Sequence, residues 1–332
     1  MATSDRSDAA GAPASPEPRQ AERSAGPRSP DAPVRRAPVS DYLATQRQIA
    51  ELLSKQIFFI GGCARSGTTW LQLLLDAHPQ VSCRGEAHFV TNLAQSLKRA
   101  IQEHNEFLLN KNRTLFHEIE GYPVFGSEHF NHLHATAILL LLLEQSKGKP
   151  ALAVGEKTPE NLQAFDGLSS IIPGAKFLHI VRDPRDAAVS GWYLGMRAIP
   201  VEMQAMHPTR AHFLKGYATG WGPEIERAIA FGTRNPERYA ELRYEDLIES
   251  PLPTLKRICR FLGVDDGDGI VERCIADTKF EKLSGGRPQG VEDESSHFRR
   301  GVVGDWRNHL DAETHAHFLA KAGTLMARFG YV

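Results

Sequence analysis

The chain has 332 residues, of which 41% are hydrophobic and 24% charged, and its formal net charge is −1. This length and composition predict a globular protein whose core is large enough for one big α/β domain or two smaller ones. The near balance of charges excludes a globally basic nucleic-acid-binding protein, but it allows a local basic pocket for a small anion.

Cysteine usage and hydropathy bear on the cellular compartment. The four cysteines form no C-x-x-C pair and have no metal-ligand spacing: Cys63, Cys83, Cys259 and Cys274. We therefore expect a reduced, cytoplasmic protein. The longest apolar run, Leu139–Leu143, is shorter than the about 20 residues that span a bilayer, and the N-terminus has no apolar leader core, so we expect no membrane insertion.

The first 40 residues differ from the rest of the chain in composition. Residues 1–40 are rich in Pro, Ala, Ser, Arg and Asp and contain almost no large apolar side chain. Such a segment cannot bury enough apolar surface to offset the entropy lost on ordering. The sequence thus predicts a disordered N-terminal tail at 1–40 and a single domain at 41–332.

Helical and strand-like segments alternate in the rest of the chain. A helical pattern at 41–55 precedes a short apolar strand, IFFIGG, and a helix, TTWLQLLLDAHP, that ends at His78-Pro79. Helical stretches separate three further strand candidates, at 151–156, 176–181 and 238–244. Apolar strands separated by helices predict an α/β fold with a central parallel sheet flanked by helices on both faces.

The first strand leads into the loop Gly62-Cys63-Ala64-Arg65-Ser66-Gly67-Thr68-Thr69. A Walker A phosphate-binding loop reads G-x-x-x-x-G-K-[ST] between a strand and a helix. The two glycines and Thr69 keep that pattern, but Thr68 replaces the lysine and Arg65 places a positive charge earlier. The loop predicts a three-layer P-loop-like fold whose helix N-terminus binds a single anionic group rather than a magnesium triphosphate. The alternative is a tight strand–helix turn in which the glycines only allow the backbone to turn and the loop binds no anion.

A second candidate for anion binding follows the strand at 176–181. Arg182 stands at its carboxyl end, and Asp183-Pro184 supplies a cap and a first-turn proline for a helix that carries Ser190. Ligands of open α/β sheets bind beyond the carboxyl ends of strands, so Arg182 and Ser190 are candidates to bind an anion. The alternative is an ion pair of Arg182 with Asp183 or Asp186.

A third candidate lies near the C-terminus, in HFRRGVVGDW. Arg299 and Arg300 place two guanidinium groups beside Gly301, and arginine is suited to bidentate contacts with phosphate. The alternative is a solvated basic surface.

These three segments together resemble the PAPS-dependent sulfotransferases, where PAPS is 3′-phosphoadenosine 5′-phosphosulfate and PAP is the product that remains after sulfonate transfer. ARSGTTWLQ resembles the family's 5′-phosphosulfate loop, and IVRDPRDAAVS its 3′-phosphate segment, with the arginine and the serine eight positions apart. RRGVVGDW resembles the C-terminal signature R-K-G-x-x-G-D-W, and LRYEDLIESP is also similar. The likeness runs in order from Ile57 to the C-terminus.

The resemblance implies transfer of a sulfonate from PAPS to a hydroxyl or amine by in-line displacement, with no metal required. It implies that Trp70 and Tyr244 contact the adenine and that Thr278 and Phe280 pack on the nucleotide, although Trp70 and Phe280 could also be plain core. The implied nucleotide-binding residues are Arg65, Ser66, Gly67, Thr68, Thr69, Trp70, Arg182, Ser190, Tyr244, Thr278, Phe280, Arg299, Arg300 and Gly301.

The candidate catalytic residues are two cations, Arg65 and Lys157, and a base. Lys157 lies in VGEKTPENL, which resembles the E-K-[ST]-P stretch of carbohydrate-type and bacterial members; the alternative is an ordinary surface lysine. The histidine that follows a K-T dipeptide in cytosolic aryl sulfotransferases is absent here. We therefore expect Glu86 to be the base, as in other members, with His88 as second choice. Glu86 could instead form a salt bridge with Arg84 or a loop arginine.

Two other functions stay open from the sequence. A P-loop kinase or NTPase is disfavoured by Thr68 at the lysine position and by the lack of a convincing strand that ends in a metal-binding aspartate. A non-catalytic PAP-binding protein is disfavoured by the presence of both cations and a carboxylate. The expected partner is a small-molecule or carbohydrate acceptor and not a nucleic acid; the sequence predicts neither the acceptor's identity nor the oligomeric state.

Overall fold

The computed structural model describes residues 39–117 and 119–332. The chain divides into two compact units, Met1–Leu43 and Ala44–Val332. The predicted tail at 1–40 lies almost wholly outside the described residues and stays a prediction.

A five-stranded parallel sheet forms the centre of the larger unit, with strand order β2-β3-β1-β4-β5. The strands are β1 Gln56–Gly61, β2 Val81–Gly85, β3 Ala153–Lys157, β4 Lys176–Val181 and β5 Tyr239–Arg243. The α-helices are α1 Val39–Leu53, α2 Thr68–Asp76, α3 Ala94–Leu115, α4 Ser127–Ser146, α5 Phe165–Ile171, α6 Pro184–Ala198, α7 Pro200–Met206, α8 Arg210–Arg234, α9 Tyr244–Glu249, α10 Pro251–Leu262, α11 Asp268–Asp277, α12 Phe280–Leu283 and α13 Ala312–Arg328.

The sheet is buried on both faces because successive side chains of its central strand enter different cores. Phe59 of β1 joins the cluster that packs against α8 and α13, whereas Phe58 and Ile60 join the cluster that packs against α2, α10 and α11. Burying each such side chain contributes about 1.5–3 kcal/mol. The predicted three-layer, P-loop-like α/β fold is therefore confirmed.

Four of the five strands match the segments predicted from the sequence, and the fifth, β2, was missed. Only Val81, Ser82 and Cys83 of β2 are buried, and the strand ends in the exposed residues Arg84 and Gly85. So short an apolar stretch gives little periodic signal. Because β2 pairs in parallel with β3, its carboxyl end delivers the following residue, Glu86, to the same sheet edge as Lys157.

The apolar run Leu139–Leu143 lies inside α4, where Leu139 and Leu142 are buried. Within the part of the chain that the structure describes, no helix is both long and apolar enough to cross a bilayer.

Candidate active site

The loop between β1 and α2 takes a conformation that only glycine fits at two positions. Gly67 caps α2 with φ of 96°, and a Cβ there would lie 2.4 Å from Cδ2 of Tyr244. A Cβ on Gly62 would lie 2.5 Å from the carbonyl oxygen of Ile180. No side chain caps the helix that starts at Thr68. Its first-turn N–H groups are arranged as in the anion-binding sites at helix N-termini.

The loop opens on a cavity of about 750 Å³ at the carboxyl ends of the strands. Buried polar atoms are normally hydrogen-bonded, yet Oγ of Ser66, Nε of Arg182 and Nε of Arg299 are buried without a partner in the described structure. All three belong to segments predicted to bind phosphate or phosphosulfate groups. The unsatisfied hydroxyl and the two unsatisfied Nε–H groups fit a ligand with two anionic ends.

Arg182 lies deep in the cavity and is held by groups other than carboxylates. Its Nη1 donates to the carbonyl oxygen of Arg65 at 3.2 Å, and its guanidinium lies 4.4 Å from the ring centre of Tyr244. The alternative of an ion pair with Asp183 is wrong, because that carboxylate pairs with Arg185. The other alternative, Asp186, accepts hydrogen bonds from the backbone N–H groups of Gly304 and Trp306, while the charge of Arg182 acts on it. Asp183 also caps α6 by accepting a hydrogen bond from the backbone N–H of Arg185, as the sequence predicts.

Arg65 connects the two predicted anion-binding segments. Its Nε donates to Oγ of Ser190 at 3.0 Å, and its Nη2 donates to the carbonyl oxygen of His297 at 3.1 Å. Burial, together with the nearby charges of Arg182 and Arg197, lowers the pKa of Arg65 to about 10. The side chain is still a cation at neutral pH, and the repulsion among these arginines would be relieved by a bound anion.

The predicted adenine side of the cavity is aromatic. Trp70 and Tyr244 meet edge to face with ring centres 5.7 Å apart, and Nε1 of Trp70 donates to the carbonyl oxygen of Thr278 at 3.1 Å. The hydroxyl of Thr278 instead donates to the carbonyl oxygen of Cys274, so the side chain is occupied within α11. Phe280 lines the cavity, and its ring excludes any side chain at Gly301, where φ is 70°.

Both C-terminal arginines line the cavity and share one carboxylate. Arg299 and Arg300 each donate to Asp305, and Arg299 also pairs with Glu292. The alternative of a solvated basic surface is wrong for Arg299, which is 9% exposed. Burial alone would raise the pKa of Asp305, but the Arg299 hydrogen bond and charge outweigh it and lower that pKa to about 2.

Lys157 stands at the carboxyl end of β3, and its ammonium lies beside the loop that has no lysine of its own. Its Nζ lies 3.0 Å from Oγ1 of Thr69 and 2.5 Å from Oε1 of Glu86. Because Lys157 is 2% exposed, it is not an ordinary surface lysine. The Glu86 carboxylate is 46% exposed, and its Oε2 lies 3.8 Å from Nε2 of His88. Its partners are thus Lys157 and His88 rather than Arg84.

Backbone strain is concentrated at the predicted catalytic residues. Among the non-glycine residues that the structure describes, φ is positive at Arg65 (70°), Glu86 (32°) and His88 (49°). Such conformations persist where the surrounding structure imposes them, and they cluster at functional sites. All three residues are catalytic candidates named from the sequence and the family resemblance, without knowledge of their backbone conformation.

Most of the predicted residues lie together. Those that line the cavity are Arg65, Gly67, Thr68, Thr69, Trp70, Glu86, Arg182, Ser190, Tyr244, Phe280, Arg299, Arg300 and Gly301. Ser66, His88, Lys157 and Thr278 lie behind this lining. Sequence reasoning did not assign roles to Glu156, Asp305 and His297, because their contacts with the site arise only in the folded chain: a buried hydrogen-bond network, an ion pair and a backbone carbonyl. Among the described residues no group of three or more His, Cys, Asp or Glu side chains is arranged to hold a metal ion.

Comparison with known proteins identifies similar chains. The model of the "Sulfotransferase family" matches residues 57–268. Cytosolic sulfotransferase 17 of Arabidopsis thaliana is 26% identical over 282 residues, which cover 77% of this chain and 70% of the relative. Cytosolic sulfotransferase 16 of the same plant is 30% identical over 166 residues, which cover 44% of this chain and about half (48%) of the relative. The mouse sulfotransferase SULT7A1, solved in complex with PAP, superposes with a TM-score of 0.51 at 18% identity, over 86% of this chain and 90% of that chain.

Proposed function

The chain belongs to the sulfotransferase family, and from this premise we propose that it moves the sulfonate group of PAPS to a hydroxyl or amine of a small-molecule or carbohydrate acceptor. It is a PAPS-dependent sulfotransferase and releases PAP. The observation that carries the assignment of the site is the 3.0 Å hydrogen bond from Arg65 to Ser190, since it joins the two predicted anion-binding segments inside one cavity.

In the proposed complex the two ends of the nucleotide are held by different elements. The uncapped first turn of α2, with Ser66 and Thr69, binds the 5′-phosphosulfate end. Ser190, Arg182 and the arginine pair at 299–300 bind the 3′-phosphate. The unpartnered nitrogens of Arg182 and Arg299 support this division, because each is a buried donor without an acceptor. Trp70, Tyr244 and Phe280 surround the adenine with apolar ring faces and edges.

Sulfonate transfer resembles phosphoryl transfer, in which a protein mainly positions the reactants in line and stabilises charge. When bound, PAPS supplies the activated sulfonate. Lys157 and Arg65 are the cations that stabilise charge on the oxygen bridging phosphate and sulfonate. Lys157 is suited to this role because it is buried beside Thr69 at the start of the phosphate-binding helix.

Glu86 is the proposed general base, which accepts the proton of the acceptor's hydroxyl or amine. It lines the cavity and is half exposed, so an acceptor can reach it. In the described structure Lys157 occupies one of its oxygens, and His88 lies near the other. His88 remains the second choice for the base.

The finer assignment to the carbohydrate-type and bacterial branch is also a proposal. It rests on Glu86 in the place of a base and on the stretch Glu156-Lys157-Thr158-Pro159. A cytoplasmic location is proposed from the four cysteines, which are unpaired in the described structure.

The experiment that tests the proposed function uses PAPS labelled in its sulfonate group. The purified protein is incubated with labelled PAPS and fractionated metabolites, and products are examined by mass spectrometry for the mass of one added sulfonate. We expect at least one labelled product together with stoichiometric PAP. Tight PAP binding with no labelled product would favour a non-catalytic PAP-binding protein, and magnesium-dependent ATP turnover would favour a kinase or NTPase.

A further inference from the structure

A buried carboxylate outside the cavity lining contacts the segment that carries the proposed base. Glu156 lies in β3 beside Lys157 and is 1% exposed. Its Oε1 accepts a 3.0 Å hydrogen bond from the backbone N–H of Ala87 and a 2.5 Å hydrogen bond from Oγ1 of Thr158. Oγ1 of Thr158 in turn accepts from the backbone N–H of His88 at 3.3 Å. Glu156 thus holds Ala87 directly and His88 through one hydroxyl.

The same carboxylate is joined to the strand that precedes the phosphate-binding loop. Nδ2 of Asn161 donates to Oε2 of Glu156 at 2.8 Å and to the carbonyl oxygen of Ile60 at 3.1 Å. Ile60 stands in β1, two residues before Gly62, whose backbone N–H donates to the carbonyl oxygen of Pro159 at 3.1 Å. Glu156 is therefore joined by hydrogen bonds both to the segment Glu86–His88 and, through Asn161, to the strand that leads into the phosphate loop.

The network requires a carboxylate at position 156. Its three direct partners are all donors: a backbone N–H, a hydroxyl and an amide NH₂. An ionised carboxylate is acceptor-only, so it satisfies all three. A glutamine has only one acceptor oxygen for these donors; with that oxygen on the NH₂ of Asn161, its own NH₂ would face the backbone N–H of Ala87, so the bond that holds Ala87 would be lost.

The segment held in this way is the one with left-handed backbone. Glu86 and His88 both have positive φ, a conformation that non-glycine residues keep only when neighbours impose it. The backbone N–H of Glu86 is fixed by the carbonyl oxygen of Lys157 at 3.0 Å, and the next two N–H groups are fixed by the Glu156 network. Three consecutive amides are thus tied to the end of β3.

We propose that Glu156 is a positioning residue for catalysis: it holds the segment Glu86–His88 in its left-handed conformation, so that the Glu86 carboxylate stays beside Lys157 at the reaction centre. This inference rests on the proposed role of Glu86 as base. Glu156 does not line the cavity and would contact neither substrate. Replacing Glu156 should therefore lower turnover and leave the affinity for the nucleotide unchanged.

The test compares Glu156→Gln, Glu86→Gln and the double variant in the full chain. Hydrogen exchange of the peptide 83–92 is expected to rise in Glu156→Gln, while the peptide 62–70 is unchanged. PAP affinity, measured by calorimetry, is expected to stay within about twofold, and turnover of labelled PAPS to fall about 10- to 100-fold, as for a misplaced catalytic group. The double variant is expected to be no slower than Glu86→Gln, because Glu156 acts through Glu86.

Glu241→Gln is the matched control, since Glu241 is a carboxylate on β5, at the opposite edge of the sheet from β2, bonded to the hydroxyl of Tyr239 and away from the cavity. It is expected to lower thermal stability without changing turnover. Unchanged exchange at 83–92, or turnover in Glu156→Gln equal to that of the unmodified protein, would overturn the positioning role alone. Full turnover in Glu86→Gln would overturn the proposed base and this inference with it. A multiplicative loss in the double variant would show that Glu156 acts independently of Glu86.

Discussion

The guanidinium of Arg65 donates a 3.0 Å hydrogen bond to the hydroxyl of Ser190, across 125 positions of sequence. The phosphate-binding loop and the helix after β4 therefore meet at one point, although each segment by itself had a plain structural interpretation. The two segments line the same cavity, together with several arginines. Such a cavity suits a nucleotide that carries phosphate groups at both the 3′ and the 5′ position of its ribose.

Ser66→Ala separates stability from ligand binding. The Ser66 hydroxyl is buried without a partner, and an unsatisfied buried hydroxyl costs free energy, so its removal should leave the free energy of unfolding unchanged or raise it. The affinity for PAP should fall about tenfold or more, because a hydrogen bond to a charged phosphate is lost. Ser82→Ala is the control: Ser82 is equally buried but bonded to Gln145, so its loss should cost stability and spare PAP binding. Calorimetry that finds unchanged affinity for Ser66→Ala would remove Ser66 from the site.

Arg182→Ala should weaken PAP binding by about 10- to 150-fold, which corresponds to about 1.5–3 kcal/mol for hydrogen bonds to a charged group. Arg182 has a buried, unpartnered Nε and forms no direct ion pair among the residues described here; the charges of Asp186 and Glu245 act on it, and a bound phosphate would add a close counter-charge. Arg234→Ala is the control, since Arg234 pairs with Asp166 on the exposed surface. Equal PAP affinities in the two variants would contradict the assignment.

Gly67→Ala should damage both folding and nucleotide binding. An alanine at φ of 96° is strained, and its Cβ would lie 2.4 Å from the Tyr244 ring, so both the phosphate loop and the aromatic side must shift. Gly148→Ala is the control for strain alone: its φ is 79°, with no heavy atom near the added Cβ, and it should lose about 1–2 kcal/mol of stability. Thermal denaturation and calorimetry should find a larger stability loss, and a loss of PAP affinity, at position 67 only. Equal effects at both positions would show that the close approach to Tyr244 is unimportant.

Glu86→Gln should retain PAP binding and lose turnover by about 100-fold or more, the range expected when a general base is removed. His88→Asn should retain most of the turnover, because His88 is not among the cavity-lining residues and its Nε2 lies 3.8 Å from the proposed base, Glu86. Initial rates with labelled PAPS distinguish the two. If His88→Asn loses turnover and Glu86→Gln keeps it, the roles are reversed.

Asp305 should make stability depend on pH in the acid range. Its pKa is about 2 in the folded chain and about 3.9 when unfolded, so its contribution is fully present above pH 4 and is lost as the pH falls towards 2. Asp305→Asn should be less stable at pH 7, because Arg299 and Arg300 lose their shared partner. The difference in melting temperature from the unmodified protein should narrow between pH 4 and the lowest pH at which both fold. A constant difference across that range would contradict the ion-pair role.

The sequence was sufficient to predict those structural features that follow from a hydrophobic pattern or a known motif. The apolar strands β1, β3, β4 and β5, the glycines of the phosphate loop and the cap at Asp183 follow from local physics, and each is confirmed. The strand β2 was missed because only its first three residues are buried. Glu86 reaches Lys157 because β2 pairs in parallel with β3, and this could not be predicted without β2.

Tertiary relationships account for the rest of what the sequence left open. No spacing rule predicts that Lys157 contacts Thr69, since the two residues are far apart in the chain and are brought together by the sheet. The left-handed backbone at Arg65 and Glu86 is equally hidden, because neither residue type favours it, and a single histidine is too weak a signal to predict it at His88. The sharing of Asp305 by two arginines depends on a turn whose amides are held by Asp186 of α6.

The affinity of the purified chain for PAP, compared by calorimetry with adenosine 5′-monophosphate and with magnesium ATP, tests the nucleotide site most directly. A cavity that grips both phosphate ends should bind PAP saturably and adenosine 5′-monophosphate at least about tenfold more weakly, because the latter lacks the 3′-phosphate that faces Arg182 and Ser190. Affinity for adenosine 5′-monophosphate equal to that for PAP, or a preference for magnesium ATP, would contradict the account.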